Sequence, residues 1–113
     1  RLYTPEFLTN DTTSALLDDI REAINSKQVI CIEYLSLEDE TSLRELKPLG
    51  LFFWGKVWTL AAWCALRQGY RSFRVDRIKS ISFTDNKFEE NDKLSFHDFL
   101  DVKYGDIDKT EFI

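Results

Sequence analysis

The chain has 113 residues, of which 43% are hydrophobic and 14% aromatic; this fits one small domain with a real core and excludes a disordered composition. Twenty acids against 15 lysines and arginines give a formal charge of -5 and a pI near 4.9, which argues against a protein that coats nucleic acid at large. No apolar run approaches the roughly 20 residues of a membrane helix, and no secretory signal is visible. The chain starts with Arg1, and it is expected to be a part of a longer protein.

Residues 1–13 read as a linker, because they show no clear period and Pro5 disfavours helix. Over residues 14–27, Leu16, Leu17, Ile20, Ala23 and Ile24 recur at three-and-four spacing among charged residues, which predicts an amphipathic helix. Asp11, Thr12 and Thr13 are its candidate caps. After Lys27 the period becomes two. Residues 29–35 are β-branched and aromatic, and Ile30, Ile32 and Tyr34 share one face of a predicted strand. A second strand runs from Ser42 toward Leu46 and should break or bend at Pro48, since proline cannot donate to a central ladder.

A hairpin follows, with its tip at Trp54-Gly55-Lys56. Residues 57–64 form a strand apolar on both faces. Trp58 and Leu60 share one face, and Thr59 shares the other with Trp63. One face belongs to the core, and the other needs a cover from the helix or a partner. Trp54 at the tip is harder to assign to a core and is a candidate interface residue. Residues 70–75 and 80–84 are two further strands. The last stretch, from Asp85 on, holds nine acids against four lysines, with a short helix over 94–100 capped by Ser95. One helix and about five short strands predict a mainly β domain, a small closed or half-closed antiparallel barrel. The domain occupies residues 14–88, and residues 89–113 form an acidic extension.

Cys31 and Cys64 lie in apolar strand runs, with no Cys-x-x-Cys and a single histidine, His97, read as a surface residue. Both cysteines should be buried free thiols, which fits a reducing cytoplasm. Neither a metal-ligand set nor a catalytic constellation assembles, and no glycine-rich phosphate loop is present. The chain is therefore not expected to be an enzyme or to need a cofactor.

One cluster stands against the overall charge. Arg67, Arg71, Arg74, Arg77 and Lys79 occur within 13 residues that contain a single acid, Asp76. Guanidinium groups bind phosphate oxygens in pairs, and neighbouring rings can stack on bases. On a regular strand Arg71, Phe73, Val75 and Arg77 share one face and Arg74 lies on the other, so one strand does not aim all of them at one ligand. The competing reading is a solvated face paired with the excess acids. Asp76 and Arg77 have a structural reading too, as a turn cap and a brace for the barrel. Tyr34 is either a ligand contact or a boundary tyrosine with a satisfied hydroxyl.

Several motifs in order resemble the WYL domain, found mainly in bacterial transcription regulators. They are Ile32-Glu33-Tyr34, Arg44-Glu45-Leu46-Lys47-Pro48, Gly55-Lys56-Val57-Trp58-Thr59-Leu60-Ala61 and Arg71-Ser72-Phe73-Arg74-Val75-Asp76-Arg77-Ile78. Thr59 stands where the family's name has tyrosine; it keeps a hydroxyl but cannot stack. The resemblance implies an Sm-like, SH3-related barrel and a regulatory domain that senses an anionic ligand, a nucleotide or single-stranded nucleic acid. It implies ligand contacts at Tyr34, Arg44, Thr59, Arg71, Phe73, Arg74 and Arg77. Duplex DNA would be bound only through a helix-turn-helix domain that this sequence lacks, and a homodimer is possible. The alternative is a dimerisation or interaction module with no small ligand.

Overall fold

The apolar stripe over residues 14–27 belongs to a longer helix, α1 (Pro5–Ser26). Leu17, Ile20 and Ala23 are buried in the main core, with Leu16 and Ile24 at its margin. The helix begins before the expected caps, so Asp11, Thr12 and Thr13 lie within it. Pro5 occupies its first residue, where a missing N–H removes no helical hydrogen bond and the fixed φ suits the turn. The computed structural model describes residues 5–105, with side chains from residue 13 onward; the outer parts of the expected linker and acidic extension lie outside the described residues.

Five antiparallel strands follow: β1 (Gln28–Leu35), β2 (Thr41–Trp54), β3 (Val57–Cys64), β4 (Gly69–Arg74) and β5 (Ile78–Lys87). They form one sheet in the order β4-β3-β2-β1-β5. The alternation of β1 buries Ile30 and Ile32 against α1. The β2–β3 hairpin has a two-residue turn, Gly55-Lys56, closed by the pair Trp54 and Val57. Both turn residues have positive φ (61° and 68°), the arrangement that matches the twist of the flanking strands.

Of the two outcomes expected at Pro48, a break or a bend, β2 shows the second: it runs on through the proline with a bulge. The β1–β2 ladder ends at the pair Ile30–Leu46, so Pro48 lies beyond it and β2 is paired there with β3 alone. The register then shifts between Pro48 and Gly50, a bulge that accommodates the proline within a continuous strand.

A 3-10 turn, Val75–Arg77, carries the chain from β4 to β5, which lie on opposite edges of the sheet. In a flat sheet those edges would stand about 19 Å apart, four spacings of roughly 4.8 Å. Four residue steps reach about 14 Å fully extended and about 8 Å as a 3-10 turn. The sheet must therefore coil. Tyr34 of β1 meets Phe73 of β4 edge to face at 5.0 Å, although β2 and β3 separate their strands in the ladder. The Tyr34 hydroxyl accepts the backbone N–H of Arg74 at 3.1 Å. Among the described residues no ladder joins β4 to β5, so the class is as expected but the sheet is coiled and not closed. Val75 and Ile78, either side of the turn's centre, fill the core.

The second face of β3 is covered by the chain's own C-terminal segment. Helix α2 (Phe96–Tyr104) starts at Ser95, whose Oγ accepts the Asp98 N–H at 3.0 Å. Phe99 and Leu100 bury against Phe52 and Ala61. A Cβ at position 50 would lie 2.6 Å from the Phe96 ring, so only glycine allows this approach. The Tyr70 hydroxyl donates to Asp98 (2.7 Å), lies 2.9 Å from the Lys93 carbonyl oxygen and accepts the Ser95 N–H (3.3 Å). Both cysteines are free thiols; the expected burial is complete at Cys64 and partial at Cys31, which shares the outer face of β1 with its cross-strand neighbours Glu45 and Ser82.

Two predictions follow from this packing. Gly50→Ala should destabilise the chain by about 1–3 kcal/mol, the usual range for overpacking. In a Phe96→Ala background it should lose most of that effect, as measured by a denaturant double-mutant cycle. Burial, and next the hydrogen bond to Asp98, push the Tyr70 phenol up to about 12. The unfolded tyrosine titrates near ~10, so the folded chain holds this proton more tightly. Stability from this group should be complete below about pH 10 and fall as pH rises toward 12. The denaturation midpoint of the native chain should drop more over that window than that of Tyr70→Phe.

Candidate functional site

Coiling brings the ends of β1, β2 and β4 together around a cavity of about 270 Å³. Tyr34 and Phe73 form one wall. Arg44 enters from β2, Arg71 and Ser72 from β4, and Arg67 from the turn that joins β3 to β4. The remaining rim is the β1–β2 turn, with Ser36, Leu37 and Glu38. That turn is held by Ser36, whose Oγ accepts the N–H groups of Glu38 (3.2 Å) and Glu40 (3.1 Å). Asp39 adopts φ 64°, a conformation a short polar side chain tolerates.

Three arginines at one small cavity are costly unless something offsets their repulsion. Among the described residues none of Arg44, Arg67 and Arg71 forms an ion pair. Arg44 is fixed by neutral groups. Its Nε donates to Ser42 Oγ at 3.1 Å and one terminal nitrogen contacts Cys64 Sγ at 3.6 Å. Glu38 is the one carboxylate in the lining. The arrangement presents planar donors beside two aromatic rings, which suits a planar or phosphorylated anion.

Arg74 is arranged differently. Its guanidinium holds both Asp76 oxygens, at 3.0 and 2.7 Å, and that carboxylate pushes its pKa further up. It does not line the cavity. Arg77 lies in the 3-10 turn, outside the lining, and makes no ion pair with a described residue. Thr59 is buried on the opposite face, between its ladder partners Phe52 and Arg74. Of the seven residues the family resemblance marked, the structure thus gathers Tyr34, Arg44, Arg71 and Phe73.

Arg67 joins them without having been singled out. Its signal was present, since it opens the basic run, but its role depends on where β3 stops. The β2–β3 ladder ends at Leu46 and Cys64, and beyond that end Arg44 and Arg67 both line the cavity. Tyr34 has the satisfied hydroxyl of a boundary tyrosine, bonded by Arg74 N–H, and its ring also lines the cavity.

Larger cavities, of about 520, 500 and 400 Å³, lie elsewhere on the molecule. The second is an apolar groove between α1 and the β2 bulge, with Trp58 and Phe96 in its walls. The arginine cavity is chosen for its chemistry, since volume alone says nothing about a ligand. Among the described residues no group of three or more His, Cys, Asp or Glu side chains could hold a metal ion, and no helix is long and apolar enough to cross a membrane.

The chain is similar in sequence and in fold to known proteins. The chain is 32% identical over 77 residues to an uncharacterized HTH-type transcriptional regulator, YobV, of Bacillus subtilis (strain 168). The match covers 68% of this chain and 25% of that protein, so the chain spans about a quarter of the relative's length. Among solved structures it is similar to proteasome accessory factor B/C (PafBC) of Arthrobacter aurescens, with a TM-score of 0.64 and 27% identity over 77% of this chain and 13% of that one. The WYL domain profile matches residues 15–83, from the buried half of α1 to the middle of β5. A match over more than half of its length, with the arginine and aromatic motifs in order, makes this chain a member of the WYL domain family.

Proposed function

We propose that this domain is the effector-sensing part of a bacterial, cytoplasmic transcription regulator, and that it binds a small anionic ligand in the arginine cavity. The observation that carries the proposal is the convergence of Arg44, Arg67 and Arg71, none ion-paired among the described residues, beside Tyr34 and Phe73. A nucleotide or a short single strand fits this chemistry, because its phosphate takes the guanidinium forks and its base takes the rings. The domain carries out no catalytic step. Duplex DNA would be engaged by a helix-turn-helix domain of a longer protein, a reading supported by the similarity to an HTH-type transcriptional regulator. Ligand binding would act by favouring one of two arrangements of that domain, which requires different affinity for the two.

A second reading, an interaction module, has its own support. Phe53 and Trp54 stand at the β2–β3 hairpin, 57% and 49% exposed. Trp54 leans on the Tyr104 ring and Phe53 on Trp58, so the tip is an ordered aromatic surface. The readings separate in a thermal-shift screen of nucleotides and short single-stranded oligonucleotides. Ligand sensing gives stabilisation that grows with ligand concentration; an interaction module gives dependence on protein concentration alone.

Arg44→Ala, Arg67→Ala and Arg71→Ala should each weaken binding of the best nucleotide or oligonucleotide from that screen by roughly tenfold or more, at about 1.5–3 kcal/mol per charge-assisted contact. Arg74→Ala should leave binding nearly unchanged and alter stability by no more than about 1 kcal/mol, because its pair with Asp76 is solvent-exposed. The slope of log K against log salt should be shallow, near ~-2 to -3, if three phosphate charges are met. Equal binding by the wild type and all three cavity variants would overturn the proposal.

A further inference from the structure

A second cavity, independent of the arginine one, lies on the outer face of the sheet. It measures about 520 Å³, nearly twice the volume of the arginine cavity. Its floor is Trp63 and the backbone of β2 and β3, and its roof is the segment through Asn91 and Leu94 that leads into α2. That roof is fastened in place. The Asn91–Leu94 bridge closes a tight turn, and the Tyr70 hydroxyl accepts the Ser95 N–H and donates to Asp98 in the first turn of α2. The cavity is therefore built between two anchored layers. It is not a dent in a loop.

Its chemistry is specific. Trp63 presents a half-buried indole, held edge to face against Tyr70 at 5.7 Å. Lys47, the cross-strand partner of Trp63, and Lys93 from the roof both line the space. Neither lysine has an ion-pair partner among the described residues, in a chain with five more acids than bases. Glu45 is the one carboxylate of the lining, so the site carries a surplus of one positive charge. Leu94 and Val29 supply apolar contact. A flat apolar body with one negative charge matches every one of these features.

We propose that the cavity between β2, β3 and the segment entering α2 is a second ligand site, for a small planar aromatic monoanion stacked on Trp63 and neutralised by Lys47 and Lys93. This site goes beyond the arginine cavity and stands or falls separately from it. The two share the β3–β4 turn, with Arg67 on one cavity and Ala65 and Gln68 on the other.

The test uses 2-naphthoate as the probe and neutral 2-naphthamide as its control, with the full chain labelled with ¹⁵N. Naphthoate should shift the Trp63 indole N–H resonance, identified by its loss in Trp63→Phe. Lys47→Gln and Lys93→Gln should each weaken naphthoate binding roughly tenfold, the loss of a charge-assisted contact. Naphthamide should bind weaker by a similar factor. Arg71→Ala should leave the naphthoate titration of the Trp63 indole N–H within about twofold of the wild type, a difference too small to mark a lost contact at this site. If Trp63→Phe does not fold, the two lysine variants decide the matter by affinity alone. Wild-type affinity in both lysine variants overturns the proposal, as does equal binding of the amide. Loss of binding in Arg71→Ala with none in the lysine variants would also overturn it, and would place the probe in the arginine cavity.

Discussion

The three-residue link between β4 and β5 is the constraint on which the rest of this molecule depends. It joins the two edges of a five-stranded sheet by a path too short for a flat sheet. Coiling is thereby imposed by the chain itself. The Tyr34 hydroxyl and the Tyr34–Phe73 ring contact then hold the coiled state across strands that share no ladder. An edge that cannot pair is a liability, and here a core-filling turn with Val75 and Ile78 occupies the gap.

Coiling also decides which arginines meet. Arg44 and Arg71 are on strands separated by β3, yet β3 ends at Cys64 and Arg44 extends past it. The space left beyond that end is where Arg67 enters. The same curvature turns Arg74 outward, where Asp76 two residues later satisfies it through both oxygens. Alternation along one strand therefore separates a paired arginine from an unpaired one three positions away. An acidic chain can in this way keep a local positive site without a positive surface, because the charge is concentrated by backbone geometry. Long duplexes respond to the whole field, whereas a small anion responds to the few groups within reach.

Much of this was legible in the sequence, and the failures have identifiable causes. The strands of residues 29–35 and 57–64 were readable because their alternation and β-branched content are local properties. The hairpin at Gly55-Lys56 was readable because positive φ at both turn positions makes a local demand. The irregularity at Pro48 was legible, but whether it breaks or bends the strand was not, because that depends on whether a neighbour stands on the side of its nitrogen, and so on where β1 stops. Pro5 was misread for a related reason, since proline opposes a helix only after its first turn. The site was half legible. Residue types pointed to Arg44 and Arg71, but the inclusion of Arg67 and the position of Arg74 follow from strand ends and curvature, which no spacing rule encodes.

The cover of the second sheet face shows the same dependence on distant partners. The sequence of β3 is apolar on both sides, so something must lie on each. What lies on the outer side is an element from an acidic stretch, which composition alone would leave in solvent. Its apolar residues are few, Phe96, Phe99 and Leu100 among them, but they fall on one side of α2 and find a surface shaped for them. Gly50 is the complement of Phe96, since the ring occupies the space that any side chain would fill. Tyr70 fastens the approach to α2 through Asp98 and the Ser95 N–H at once, and its ring packs between Trp63 and Phe99. Because Tyr70 stands next to Arg71 on alternate faces of β4, one short strand carries both the clasp of the C-terminal segment and a wall of the arginine cavity. A shift of β4 along its length would disturb both together. The position of the C-terminal helix and the geometry of the anion site are therefore mechanically linked through a single edge strand.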